Sequence, residues 1–268
     1  MNSFLRSLST TQQIGALFLV VFGVLSLVTI WAFVRGLRET PAGDADAAAA
    51  RKAKGRRLRG LLQTSWAMAT VFWVGWVLGD TAATVLFALV AFFALREFIT
   101  LSPTRRGDHR SLVLAFFVVL PLQFVLVGTR HFDLFTVFIP VYVFLALPVV
   151  SALANDPQRF LERSAKLQWG IMVCVYGMSH VPALLLLDFP DQGPGRGAFL
   201  VFYLVLSVQT CMVVQHLLGR RFPHQPVAPA VSQSFQWASW LAGVAVGGLV
   251  GGLLSFITPF KPGQALGM

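Results

Sequence analysis

Thr81-Ala-Ala-Thr-Val-Leu-Phe-Ala-Leu-Val-Ala-Phe-Phe-Ala-Leu-Arg-Glu-Phe-Ile-Thr-Leu-Ser-Pro-Thr-Arg-Arg-Gly-Asp-His-Arg110 runs from unbroken apolar sequence into a burst of charge. Residues 81–95 carry no charge, whereas Leu95–Arg110 holds six formal charges and His109 before the next apolar run begins at Leu112. A strand crosses a bilayer only in a closed barrel, with side chains alternating apolar and polar. A helix crosses with about 20 largely apolar residues. This run is continuously apolar, so it predicts a membrane-spanning helix whose charged tail marks its exit from hydrocarbon.

The pattern repeats along all 268 residues. Charged residues make up 12% and hydrophobic ones 56%, against about 25% charged in a soluble domain, and mean hydropathy is +0.71. Eight runs stand out: Ile14–Val34, Leu61–Leu78, Thr81–Ile99, Leu112–Gly128, Phe135–Leu153, Trp169–Leu187, Ala198–Leu218 and Trp237–Ile257. The chain therefore reads as an all-α, polytopic integral membrane bundle of about eight transmembrane helices. Gly79-Asp80 alone separates the second and third runs, which predicts a tight helical hairpin. Pro121, Pro140, Pro148 and Pro182 lie inside spans, tolerable where neighbouring helices satisfy the freed backbone groups. Gly243, Gly247, Gly248, Gly251 and Gly252 recur at four-residue spacing, a close-packing face. Cys174 and Cys211 fall inside spans without C-x-x-C spacing and read as small apolar residues, neither a disulfide nor a metal site. The first run is too long for a signal-peptide core and reads as a retained anchor.

Charge sets the orientation. Of 21 basic residues, 17 lie in four alternate segments: 35–60, 96–110, 155–166 and 219–235. Lys and Arg concentrate in cytoplasmic loops, so these loops face the cytoplasm of a bacterial inner membrane and both termini face out. The net charge of +10 is thus a topology signal, with an anionic bilayer rather than nucleic acid as its partner. Glu39–Arg59 reads as a flexible linker feeding a polybasic juxtamembrane segment.

Three of the basic segments suit phosphate. Arginine's planar fork can pair two phosphate oxygens at once, which makes Arg96, Arg105 and Arg106 candidate ligands; the alternative is a solvated, topology-setting loop. Glu97 shares the last helical turn with Arg96 and could position it or help hold a cation. Arg159, Glu162, Arg163 and Lys166 fall three and four apart, one face of an amphipathic interfacial turn. Arg220 and Arg221 lead into a proline-punctuated loop able to present amides and guanidinium groups to phosphate. Glu97, His180, Gln215 and His216 form a candidate polar intramembrane site; a helix–helix hydrogen bond accounts for His180 equally well. Glycine-loop nucleotide motifs, H-E-x-x-H and G-x-S-x-G are missing. The residues themselves assign no catalytic group and no metal ligand.

Leu95–Arg110, Pro121-Leu-Gln, Leu126-Val-Gly, Trp169-Gly-Ile-Met-Val-Cys-Val-Tyr176 and Gly219-Arg-Arg-Phe together resemble the membrane CDP-diacylglycerol synthases (phosphatidate cytidylyltransferases). The resemblance covers roughly residues 62–268, which makes 1–60 an added anchor and linker and 61–268 the family-like domain. It implies CMP transfer from CTP to phosphatidate, giving CDP-diacylglycerol and pyrophosphate in phospholipid biosynthesis. It also implies Mg2+ and admits a homodimer. Two departures accompany it. Cys211 and Met212 stand where the family has an Asn-Asp pair, and Phe235 and Ala238 replace the lysine and glutamate of its S-P-x-K-T-W-E-G element. The family's C-terminal acidic signature has no counterpart before Met268. A chain ending there is expected to be inactive, to need a second chain, or to be a truncated frame. The rival expectations are a non-catalytic anionic-lipid-binding or scaffolding protein, separated by lipid co-purification without CTP binding, and a small-molecule transporter, separated by liposome flux.

Overall fold

The computed structural model describes residues 10–38, 45–102, 104–187, 197–221 and 235–254, with single residues at 227 and 230. Among the described residues there are helices and turns and no strand, and the described part of each of the eight predicted runs lies in a helix but for a residue or two at its end. The chain divides into two compact units, Met1–Ala183 and Leu184–Met268.

The first unit holds α1 (Thr10–Arg38), α2 (Ala45–Leu78), α3 (Asp80–Thr100), α4 (Arg106–Gly128) and α5 (Phe132–Ala152). It also holds most of α6, which continues through Phe160–Gly170, Ile171–Gly177 and Met178–Leu185. The second unit holds α7 (Gly197–Arg221) and α8 (Trp237–Leu253). Among the described residues α1, α3, α4, α5 and α7 are long and apolar enough to cross a membrane, and α8 is a shorter apolar helix. Phe33, Phe93, Phe117 and Leu145 remain more than half exposed. Apolar surface on that scale suits a lipid surround. The protein is an all-α polytopic membrane bundle.

One expectation is corrected. Part of the predicted flexible linker is helix, because α2 begins at Ala45 and runs unbroken for 34 residues through the alanine run and Arg51–Arg59. Alanine, lysine and arginine are strong helix formers, and that preference outweighs the polar composition. Glu39–Asp44 lie outside the described residues.

Phe18 of α1 packs on Phe72 and Trp76 of α2, ring centroids 5.3 and 5.4 Å apart. Gly79 alone joins α2 to α3, with φ +89, a left-handed value that glycine adopts without strain. Helix α3 is central and buries Ala83, Phe87, Ala91 and Leu95 at four-residue spacing. Opposite its end, a Cβ on Gly170 of α6 would lie 2.6 Å from the Phe98 ring. Only a glycine lets α6 approach α3 this closely.

Each of α4, α5 and α6 contains a π-helical stretch: Ala115–Val119, Phe138–Val143 and Ile171–Gly177. Pro140 sits inside the stretch of α5. A proline removes the donor to the carbonyl four residues back, so Pro140 frees Thr136 O and Pro148 frees Phe144 O. Helix α6 answers both: the Tyr176 hydroxyl donates to Thr136 O at 3.1 Å and Gln168 Nε2 donates to Phe144 O at 2.8 Å. The neighbouring helix satisfies these proline-freed groups, as predicted.

Candidate functional site

The most highly organised polar feature lies where the α3–α4 and α5–α6 connections of the first unit meet. Arg105 is extended (φ −122, ψ 165); its backbone N–H donates to Asp108 Oδ2 at 2.9 Å, and the Asp108 N–H donates to Arg105 O at 3.0 Å. This reciprocal pair fixes the turn that carries Arg105 and Arg106. Across from it, Asn155 (φ 53) and Arg159 (φ 51) adopt left-handed backbone, uncommon for side-chain-bearing residues, and they bend the α5–α6 connection around Asp156.

Arg163 ties the two connections together. Its Nη1 lies 2.8 Å from Asp156 Oδ2 and 3.5 Å from Asp108 Oδ1, and its Nη2 donates to Asp156 O at 2.9 Å. Arg105 Nη1 donates to Gln158 Oε1 at 2.6 Å and lies 3.7 Å from Asp156 Oδ1. Hydrogen bonding from Arg163 holds the Asp156 carboxyl below its ordinary 3.8; burial opposes this, while the Gln158 N–H and the charges of Arg163 and Arg105 reinforce it. Gly107 completes the fit: a Cβ there would stand 3.1 Å from Asp156 Cβ.

The predicted residues divide in two groups. Arg96 and Glu97 lie exposed on the last turn of α3, with no ion pair between them among the described residues, and Arg105 and Arg106 are exposed on the ordered turn. Arg220 and Arg221 end α7 in the second unit, and their side chains lie outside the described residues. The four proposed intramembrane groups are spread over three helices. His180 Nδ1 pairs with Tyr176 O of its own helix at 2.7 Å, and its ring packs on Phe135 with centroids 4.9 Å apart. Gln215 packs against α8, where a Cβ on Gly243 would lie 3.3 Å from its own Cβ, and His216 is exposed.

Sequence reasoning missed several groups. It put Arg163 on one face of an amphipathic interfacial turn, but the side chain is only 9% exposed, because its partners Asp108 and Asp156 come from other connections. Asp156 and Gln158 went unassigned, although the Asn155-Asp-Pro157 turn sequence was a readable signal. Gln123 and Ser179 are fully buried and hydrogen-bonded at 3.2 Å, and Gln123 Nε2 also reaches Phe135 O at 3.4 Å. An uncharged glutamine within a span gave little warning of that link.

Among the described residues no three His, Cys, Asp or Glu side chains come together to hold a metal ion. Asp108 and Asp156 are already engaged by arginines. Cys211 packs against the glycine face of α8, a Cβ on Gly243 lying 2.8 Å from Cys211 O and one on Gly247 3.2 Å from Cys211 Cβ. A soft thiol in such a contact suits packing rather than a hard cation. Among the described residues there is therefore no all-protein cage for a hard cation.

A helical membrane bundle with exposed arginines on an ordered turn defines an integral membrane protein able to meet anionic ligands. Comparison with known proteins narrows the class. A model of the Cytidylyltransferase family matches residues 60–267, and the chain belongs to that family. It is also similar to the uncharacterized protein YnbB of Escherichia coli (strain K12), 30% identical over 190 residues that cover 67% of this chain and 58% of that protein. It thus spans under two thirds of that relative's length. No solved structure matches it.

Proposed function

We propose that the chain serves CMP transfer from CTP to phosphatidate, yielding CDP-diacylglycerol and pyrophosphate for phospholipid synthesis. A phosphatidate phosphate oxygen bonds to the α-phosphorus of CTP while the bond from that phosphorus to the bridging oxygen of pyrophosphate breaks, and pyrophosphate leaves with the electron pair. Such a transfer depends on in-line positioning and neutralisation of charge, and Arg96, Arg105, Arg106, Arg220 and Arg221 take that role in this reading. Magnesium, which prefers substrate phosphate oxygens to all-protein cages, belongs to the same reading as a companion of CTP. The family match over 60–267 carries the proposal. Residues 1–60 then form an anchor and linker ahead of the catalytic-type domain, the basic loops face the cytoplasm of a bacterial inner membrane, and a homodimer is the assembly allowed.

The test is CTP- and magnesium-dependent formation of CDP-diacylglycerol by purified protein in phosphatidate-containing micelles. Turnover is expected; none, with the helical fold shown intact, rejects the reading. A non-catalytic, anionic-lipid-binding or scaffolding role then takes its place. The packed Cys211 position favours that second reading, and lipid co-purification without CTP binding is its signature.

A further inference from the structure

We propose that the π-helical stretches of α4, α5 and α6 form one hinge layer across the first unit, on which the helix ends that carry the Arg163 clamp turn as a single cap. Cross-helix contacts set the three stretches at one depth. Helices α5 and α6 run antiparallel, with Thr136 O facing the Tyr176 hydroxyl and Phe144 O facing Gln168 Nε2. That register lays Phe138–Val143 against the first part of Ile171–Gly177. Helices α4 and α5 are registered by Ser111 on Ser151 at one end and Gln123 on Phe135 O at the other. Ala115–Val119 therefore lies beside the second half of the α5 stretch and the turn after it.

Polar ties flank this layer on both sides. Towards the clamp, the Ser111 and Ser151 hydroxyls lie 2.7 Å apart and Gln168 reaches α5 at 2.8 Å. On the far side, Gln123 holds Ser179 at 3.2 Å and Tyr176 reaches Thr136 O at 3.1 Å. Among the described residues no side-chain hydrogen bond joins α4, α5 and α6 between the levels of Thr136 and Phe144. The contact there is apolar, made by Ala115, Val119, Ile139, Val143, Ile171 and Val175, each at most 5% exposed. Apolar contact is non-directional, whereas a hydrogen bond weakens steeply off its line. The ends hold their shape and the middle gives.

The backbone of the layer agrees. A π turn closes through i→i+5 bonds, and such bulges are where helices bend. Pro121 frees Phe117 O inside the stretch of α4, as Pro140 frees Thr136 O in α5. Gly170 and Gly177 bound the stretch of α6, where the absent side chain leaves the backbone least restrained. Helix α3 is the contrast. It is α-helical throughout Asp80–Thr100 and passes the same depth, since a Cβ on Gly170 would lie 3.4 Å from Leu95. Moving a wide turn one position along its helix rotates the residue it passes by about 100°. A small change in the layer is thus carried out to the Arg105–Arg106 turn, which Asp108 and Arg163 fix to the cap.

Hydrogen exchange in the full chain, held in lipid nanodiscs, tests the layer. Amides of the three stretches are expected to exchange at least about tenfold faster than those of Ala83–Leu95 in α3, which lie at like depth. Pro140→Ala restores a donor and is expected to slow the α5 stretch towards the α3 rate. Pairs of spin labels, introduced after Cys174 and Cys211 are replaced, read the motion itself at Thr104, Leu134 and Leu161, all exposed. Thr104 with Leu161 lies within the cap and should give one narrow distance. Thr104 with Leu134, near the far end of α5, should give a broad or two-peaked one. The hinge is overturned if the stretches exchange at the α3 rate, if Pro140→Ala leaves the α5 stretch as fast as before, or if both label pairs are equally narrow. None of these readouts uses CTP or phosphatidate, so failure of the hinge and failure of cytidylyl transfer are separate results.

Discussion

Arg163 joins two connections through one guanidinium, with Asp156 on one side and Asp108 on the other. Removing the guanidinium leaves the Asp108 and Asp156 carboxylates without their shared cation, and Arg163→Met is expected to unfold earlier than the parent in detergent. The pH dependence follows from Asp156. Its carboxyl is held below 3.8, so its share of stability is fully present above about pH 4 and is lost as pH falls through the lowered folded value. The parent should therefore weaken on acidification below about pH 4, and Arg163→Met should show a flatter acid limb. Equal acid sensitivity in both proteins would mean that Asp156 gains nothing from the arginine. The clamp was illegible in the sequence because spacing put Arg163 on one face with Glu162 and Lys166, while tertiary pairing turned it inward.

Helices α5 and α6 are coupled by carbonyls that prolines set free. Tyr176→Phe should strand Thr136 O and cost about 1 kcal/mol. Pro140→Ala restores the missing donor, so the double variant should lose less than the sum of the two single losses. Additive losses in a double-mutant cycle of melting measurements would break the proposed link. The helices themselves were readable because each apolar run is unbroken and bounded by charge, glycine or proline. The π-helical stretches were not: Ile171–Gly177 has no proline of its own, so backbone register there depends on neighbours rather than on residue type. The start of α2 went unread for the opposite reason, since its charged, alanine-rich sequence satisfies linker composition and helix propensity alike.

At the scale of the whole molecule, a single residue between two long packed helices has a geometric result. The polybasic first half of α2 and the arginines at the end of α3 must lie at the same end of the hairpin, whichever side of the membrane that is. Single cysteines at Arg59 and Arg106, both exposed, introduced after Cys174 and Cys211 are replaced, should react with an impermeant thiol reagent from the same side of sealed vesicles. Labelling from opposite sides would mean that the hairpin does not form in the bilayer. Gly79 also bears on how the chain is built. With no loop to hold one helix in water while the other settles, α2 and α3 have to enter the bilayer together, as one event during synthesis. A side chain at residue 79 should then first be felt as poor insertion rather than as loss of chemistry.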